Sequence, residues 1–191
     1  PPTRQERCAD DLAPMVPGHR SIHPWCLAPE PDEEIQLGPG LVHIERSKVY
    51  GPHQRVVIAP GTTLVMGPEA SLVFQARVRA EGTADAPIRF LPRDRTWGGV
   101  ALQGHGTGGS RWEHVEASRG STPSWGLTTY PGMINVHDSH DVAFSDCRFS
   151  ENLGSDDVLH VAFVEGFTLS RAQIINSADD GIDVEFSTGS L

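Results

Sequence analysis

The chain has 191 residues, including 20 glycines and 15 prolines, while hydrophobic residues make up 38% and aromatic residues 7%. This composition favours short elements separated by turns and excludes a bundle of long helices. Acidic residues outnumber basic ones by 25 to 15, and the net charge of −10 argues against nucleic acid as a partner, because phosphate binding requires excess positive charge. No apolar run approaches the roughly 18–20 residues of a membrane-spanning helix, so no membrane span is predicted.

Residues 1–48 form the first of two predicted regions. They are rich in proline and charge and show no sustained period of 2 or 3.6, which predicts an irregular N-terminal segment. Cys8 and Cys26 lie in this loop-like stretch, and a disulfide between them would leave Cys147 as a buried free thiol. Such a disulfide fits a secreted, periplasmic or cell-surface protein.

The second region, residues 49–191, consists of short β-rich runs broken by glycine and proline. Each run is only a few residues long, which is typical of a solenoid, where a short strand pairs with its counterpart one coil away. The first runs are 56–58, 63–66, 71–74, 87–90 and 99–102.

The last third of the chain repeats itself. Met133–Val136 aligns with Val158–Val161 at a spacing of 25 residues, and that run aligns with Gly181–Val184 at a spacing of 23. The pair at 156–157 likewise recurs at 179–180. This periodicity predicts an all-β, single-stranded, right-handed parallel β-helix of about four to six coils.

Several runs in the second region carry a family resemblance. They are Ile58–Leu64, Ala80–Thr83 followed by Ala86–Phe90, Trp97–Val100, and Phe149–Asn152 followed by Asp156 and Asp157. These runs resemble the pectate-lyase-like β-helix superfamily, and most of all its secreted bacterial β-helix repeat proteins. The resemblance covers about residues 49–191 and implies the fold. It implies no single activity, because the superfamily includes lyases, hydrolases, epimerases and proteins without known catalysis.

The alternation of side chains along a strand predicts which residues face outward. If the isoleucines, leucines and valines of the repeat fill the core, the residues between them form outward columns on coils about 4.8 Å apart. These columns are Asn135, His160 and Asp183, and, two residues on, Gln103, His137, Ala162 and Glu185. The paired aspartates of the turns enter the same sheet, so an acidic face containing two histidines is expected.

Like charges stacked at this spacing need a compensating interaction, and three explanations remain open. Calcium, the candidate cofactor, would be held by Asp156, Asp157, Asp179 and Asp180, with zinc or another transition metal as the alternative cation. Glycoside chemistry would use two carboxyl groups about 5–9.5 Å apart. Alternatively, the aspartates cap backbone N–H groups in turns and perform no chemistry.

The candidate site residues follow from this face. The catalytic candidates are Asp157, Asp180, Asp183 and Glu185, with His160 as an orienting group or proton shuttle. The candidates for substrate binding are Asn135, His137 and Gln103, together with Trp125 and Tyr130, whose rings can stack on sugars from the loop at 118–131.

The leading functional hypothesis is an extracytoplasmic module that binds and processes a polysaccharide. A hydrolase or epimerase is favoured over a lyase, because the outward columns contain no lysine or arginine to abstract a proton. The alternative is a non-catalytic surface scaffold, adhesion or assembly protein. The last run ends where another coil would continue, so end-to-end association or a further C-terminal domain is also expected.

Overall fold

A computed structural model describes residues 33–126 and 128–191 of the chain. Within these ranges the chain forms a parallel β-solenoid of about six turns with almost no helix, which confirms the predicted all-β solenoid. The one short helical element in this part of the chain is a 3-10 turn at His105–Thr107. No helix in the described ranges has the length and apolar character needed to cross a bilayer.

The strands are short, because each covers one side of a coil before the chain turns. In chain order they are β1 (Glu33–Leu37), β2 (Gly40–Ile44), β3 (Lys48–Tyr50), β4 (Gln54–Ile58), β5 (Thr62–Met66), β6 (Leu72–Phe74), β7 (Arg77–Glu81), β8 (Ile88–Pro92), β9 (Val100–Gln103), β10 (Arg111–Glu113), β11 (Val115–Ser118), β12 (Ser124–Trp125), β13 (Thr128–Thr129), β14 (Gly132–His137), β15 (Ala143–Ser145), β16 (Arg148–Ser150), β17 (Asp157–Ala162), β18 (Phe167–Ser170), β19 (Gln173–Ile175), β20 (Asp180–Glu185) and β21 (Gly189–Ser190).

Three parallel sheets form the sides of the solenoid. Sheet A has the strand order β1-β4-β7-β10-β15-β18-β21, sheet B has the order β2-β5-β8-β11-β16-β19, and sheet C has the order β3-β6-β9-β14-β17-β20. Strands β12 and β13 form a separate antiparallel hairpin in the loop between β11 and β14. Each coil therefore adds one strand to each sheet.

The predicted register of sheet C is confirmed. Asn135 pairs with Ala101 on one side and with His160 on the other, and His160 in turn pairs with Asp183. His137 pairs with Ala162. Equivalent positions of successive coils are therefore direct neighbours, as the 23- and 25-residue spacings require.

The solenoid begins earlier in the chain than predicted. Strands β1 and β2 lie within the segment assigned as irregular, and they pair with β4 and β5. Each of the two buries only its last residue, Leu37 or Ile44, so neither shows the apolar alternation by which a strand is recognised. Cys8, Cys26 and their predicted disulfide lie outside the described residues.

Stacked aromatic rings fill the centre of the solenoid. The Phe90 ring lies 5.5 Å from that of Trp112, which lies 5.0 Å from Phe144, and Phe144 lies 5.6 Å from Phe167. All four side chains are buried. Cys147 is a buried free cysteine, as predicted, and burial raises the pKa of its thiol to about 12.

Removal of one ring from this stack should destabilise the whole solenoid. We expect Phe144→Ala to lower the free energy of unfolding by about 3–5 kcal/mol, because it leaves a cavity beside Trp112 and Phe167. Phe163→Ala is the matched control, since Phe163 is 58% exposed and should cost no more than about 1 kcal/mol. Urea unfolding of the two variants measures the difference, and equal losses would contradict this account of the core.

Candidate functional site

The outer face of sheet C carries the candidate site. Ile134, Leu159 and Ile182 pair in register and pack in or against the core, so the next residue of each strand faces away from it. This alternation sends His160 of β17 and Asp183 of β20 to the outer face.

Two histidines on neighbouring strands are in direct contact. The Nε2 atom of His137 lies 2.7 Å from the Nδ1 atom of His160, and the ring centroids are 4.8 Å apart. One of these nitrogens must donate a proton and the other accept it. The rings therefore form a hydrogen-bonded pair that holds His160 in a defined orientation.

The second nitrogen of His160 faces two carboxylates of the next coil. Its Nε2 atom lies 3.7 Å from Oδ2 of Asp183 and 3.9 Å from Oε2 of Glu185. Both separations exceed a hydrogen-bond length, although the charges still interact. The His160 side chain is only 8% exposed, whereas both carboxylates reach solvent. The site thus contains a buried histidine, His160, next to two exposed carboxylates of the following coil.

The environment of His137 keeps its ring neutral at pH 7. Burial is the main cause, and the neighbouring His160 adds to it, so the pKa of His137 falls from 6.5 to about 4 despite the opposing effect of Asp138. A neutral ring can either accept or donate the hydrogen bond that joins it to His160. The two rings therefore form a continuous hydrogen-bonded path along this face.

Asp157 is the most unusual carboxylate of the site. It is only 4% exposed at the start of β17, and no described residue donates a hydrogen bond to its carboxylate. Burial raises its pKa, and the acids at 180 and 183 act in the same direction, while His160 opposes them. One oxygen each of Asp157 and Asp183 and a ring nitrogen of His160 lie within 4.8 Å of one another.

Two predicted substrate-binding residues are not accessible. Asn135 is fully buried, and its amide bonds to the backbone N–H and C=O of Gly132 and to the C=O of Val100. Tyr130 is 3% exposed and packs with Val73 and Ala101. Tyr130, in the loop before β14, thus covers outward positions of sheet C, and neither of the two side chains presents a surface to solvent.

Of the other three binding candidates, His137 is engaged with His160, as described above, and two remain available. The Gln103 side chain is partly exposed and donates a hydrogen bond of 2.7 Å to the carboxylate of Asp138. Trp125 is 48% exposed on the β12–β13 hairpin. Asp138 itself was missed by the sequence analysis, because it lies in a corner between strands with a positive φ of 51°, outside the alternating pattern.

The four aspartates predicted to bind calcium do not converge as a set. Asp156, Asp179 and Asp180 are exposed, and among the described residues only Asp157 of the four belongs to a group of three ligand-type side chains within 4.8 Å. A second such group, on another face, contains Glu113, His114 and Asp146. It lies beside a groove of about 330 Å³ in which Arg171 pairs with Asp146 at 2.6 and 2.8 Å.

The sequence analysis missed this second group because its members lie at a corner and span an irregular repeat. His114 and Asp146 occupy equivalent corners 32 residues apart, where the hairpin loop lengthens the coil. Matching at 23 to 25 residues therefore could not align them.

The chain was compared with protein-family models, curated proteins and solved structures. No protein-family model matches the chain, and neither the curated proteins nor the solved structures contain a significant match. The strand pairing alone therefore establishes the parallel solenoid, and the evidence on function comes from the side chains on the outer face of sheet C.

The lowered pKa of His137 makes stability depend on pH. The unfolded chain binds a proton at this residue below about pH 6.5 and the folded chain only near pH 4, so the free energy of unfolding should fall as the pH drops between these values, by roughly 3 kcal/mol at most. His137→Gln should flatten this part of the profile. His43→Gln, at an exposed position of β2, should leave it unchanged. Denaturant unfolding from pH 7 to pH 4 tests both, and an unaltered slope in His137→Gln would refute the assignment.

Proposed function

We propose that the outer face of sheet C binds a polysaccharide and hydrolyses its glycosidic bonds outside the cytoplasm. The observation that carries this proposal is the placement of two carboxyl groups, one buried and one accessible, beside an oriented histidine. One oxygen each of Asp157 and Asp183 and a ring nitrogen of His160 lie within 4.8 Å of one another. Paired carboxyl groups in different environments are the usual equipment for cleaving a glycosidic bond.

The two carboxyl groups would divide the chemistry between them. Burial favours the protonated form of Asp157, which suits a general acid, while the accessible Asp183 suits the role of nucleophile. The acid would donate its proton to the glycosidic oxygen as the bond to the anomeric carbon breaks. The carboxylate would attack that carbon, and water would then release the sugar and return the proton. The short separation favours this two-step route over direct attack by water, which needs more room.

The histidine pair would supply the proton path. A ring nitrogen of His160 lies within 4.8 Å of both Asp157 and Asp183, and its Nδ1 atom is hydrogen-bonded to His137. Small movements of these side chains would let the histidine pair take up a proton from one carboxyl group and return it to the other. The exposed residues would contact the sugar, with Glu185, Asp180 and Gln103 accepting or donating bonds to hydroxyl groups and Trp125 stacking on a ring.

The turn-cap alternative receives no support from the hydrogen bonds of the described chain. If the recurring aspartates were caps, their carboxylates would accept backbone N–H groups. The cap at this corner is instead Asn152, whose Oδ1 accepts the N–H of Ala178 at 2.8 Å, while Asp156, Asp157, Asp179 and Asp180 accept no such bond. The aspartates are therefore available for another role.

The proposal is tested by release of reducing ends from neutral and uronate polysaccharides. Asp183→Asn keeps the shape of the side chain but removes its charge, so the rate should fall by at least about 100-fold. Asp85→Asn, an exposed substitution outside sheet C, should retain full activity. Equal rates in both variants would exclude Asp183 from catalysis, and no release from any polysaccharide by the unmodified protein would reject the hydrolase assignment.

A further inference from the structure

We infer that Asp157, His160 and Asp183 form a binding site for one divalent transition-metal ion of the zinc type. Each residue offers one ligand atom, and the three atoms lie within 4.8 Å of one another. The inference concerns the same face as the proposed hydrolysis but does not depend on that activity.

The spacing of the ligand atoms suits a small ion. Zinc bonds of about 2.0–2.2 Å arranged tetrahedrally place two ligand atoms about 3.4 Å apart. The Nε2 atom of His160 lies 3.7 Å from Asp183 and 3.9 Å from Glu185, within a few tenths of an ångström of that separation, and Asp157 lies within 4.8 Å of His160 and Asp183. Glu185 is exposed and can supply the fourth ligand or leave that position to water.

Asp157 provides the second, independent reason. Asp157 is 4% exposed as a residue, and its carboxylate accepts no hydrogen bond from the described chain, so a cation would be the partner that it lacks. It belongs to the same three-residue group as the ring nitrogen of His160. An ion in that group would satisfy the buried oxygen directly.

The contact between the two histidines matches the support that metal ligands require. A histidine that binds a metal through one nitrogen usually donates its other N–H to a neighbouring group, which fixes the ring. Here the Nδ1 atom of His160 lies 2.7 Å from the Nε2 atom of His137, so His137 can accept the hydrogen bond that fixes the ring. His137 is thus a positioning residue for the metal site.

The donor set also sets the choice of ion. Calcium takes six to eight oxygen ligands at about 2.3–2.6 Å, whereas an imidazole with two or three carboxylates suits zinc and its neighbours in the first transition row. An ion bound to Asp157 and Asp183 would withdraw both carboxyl groups from the hydrolysis proposed above. Metal-loaded protein should therefore be inactive in that reaction, and a chelator should restore the activity.

The experiment is calorimetric titration of tag-free, chelator-treated protein with zinc chloride and, separately, calcium chloride. We expect the unmodified protein to bind one equivalent of zinc and the His160→Ala and Asp183→Asn variants to bind none. His114→Ala, in the second group of ligand-type residues, is the control and should retain that equivalent. His137→Leu should weaken binding by about 10–100-fold, as for other residues that orient a metal ligand. Circular dichroism confirms that each variant is folded.

Titration with cobalt chloride gives an independent readout. Visible absorption of the bound ion should appear in the unmodified protein and in His114→Ala and be absent in His160→Ala. A zinc equivalent that survives His160→Ala, disappears in His114→Ala, or is displaced by calcium at equal concentration would overturn the inference. Glycan assays in chelator report on hydrolysis and titrations without glycan report on the metal, so either proposal can fail alone.

Discussion

The in-register stacking of parallel strands is the constraint on which the rest of this molecule depends. Each coil places a residue directly beside its counterpart in the next coil, so an interaction that is favourable at one level recurs at the next. In the interior this rule stacks Phe90, Trp112 and Phe144 into one aromatic column. On the outer face of sheet C the same rule brings together side chains that would otherwise repel one another. The packing of the core therefore stabilises the fold enough to offset the unfavourable interactions among the polar side chains on the outer face of sheet C.

The candidate site is a direct consequence of that arrangement. His160 is held between His137 of the previous coil and Asp183 of the next. Burial shifts the pKa of His137 downward and that of Asp157 upward, so both favour the neutral form. Neutralisation by a proton suits acid–base chemistry on a glycan, and neutralisation by a metal ion suits the coordination inferred above. The two states exclude each other at Asp157, which links the proposed activity to the metal content of the surroundings.

Strand register could be predicted from the sequence, whereas the burial of a side chain by other segments of the chain could not. Periodicity was sufficient to predict the solenoid and to align Asn135, His160 and Asp183, because register depends only on spacing along the chain. It failed for Tyr130, which was expected to bind sugar and instead packs on Ala101, because a loop of irregular sequence has no period from which its path can be deduced. The pectate-lyase-like resemblance likewise predicted the solenoid, while a place in that superfamily remains a prediction.

Strand alternation and repeat length are local properties, and they were enough to predict the fold class, the pairing of the last coils and the side chains on the outer face of sheet C. Which of those side chains reach solvent, and which atoms are in contact, follows from the packing of the folded chain. Asp157 was one of several similar acids in the sequence, and its burial beside His160 and Asp183 distinguishes it from the exposed Asp156, Asp179 and Asp180. The physical reason is that desolvation depends on everything packed around a group, including segments distant in the chain, and no local pattern records it.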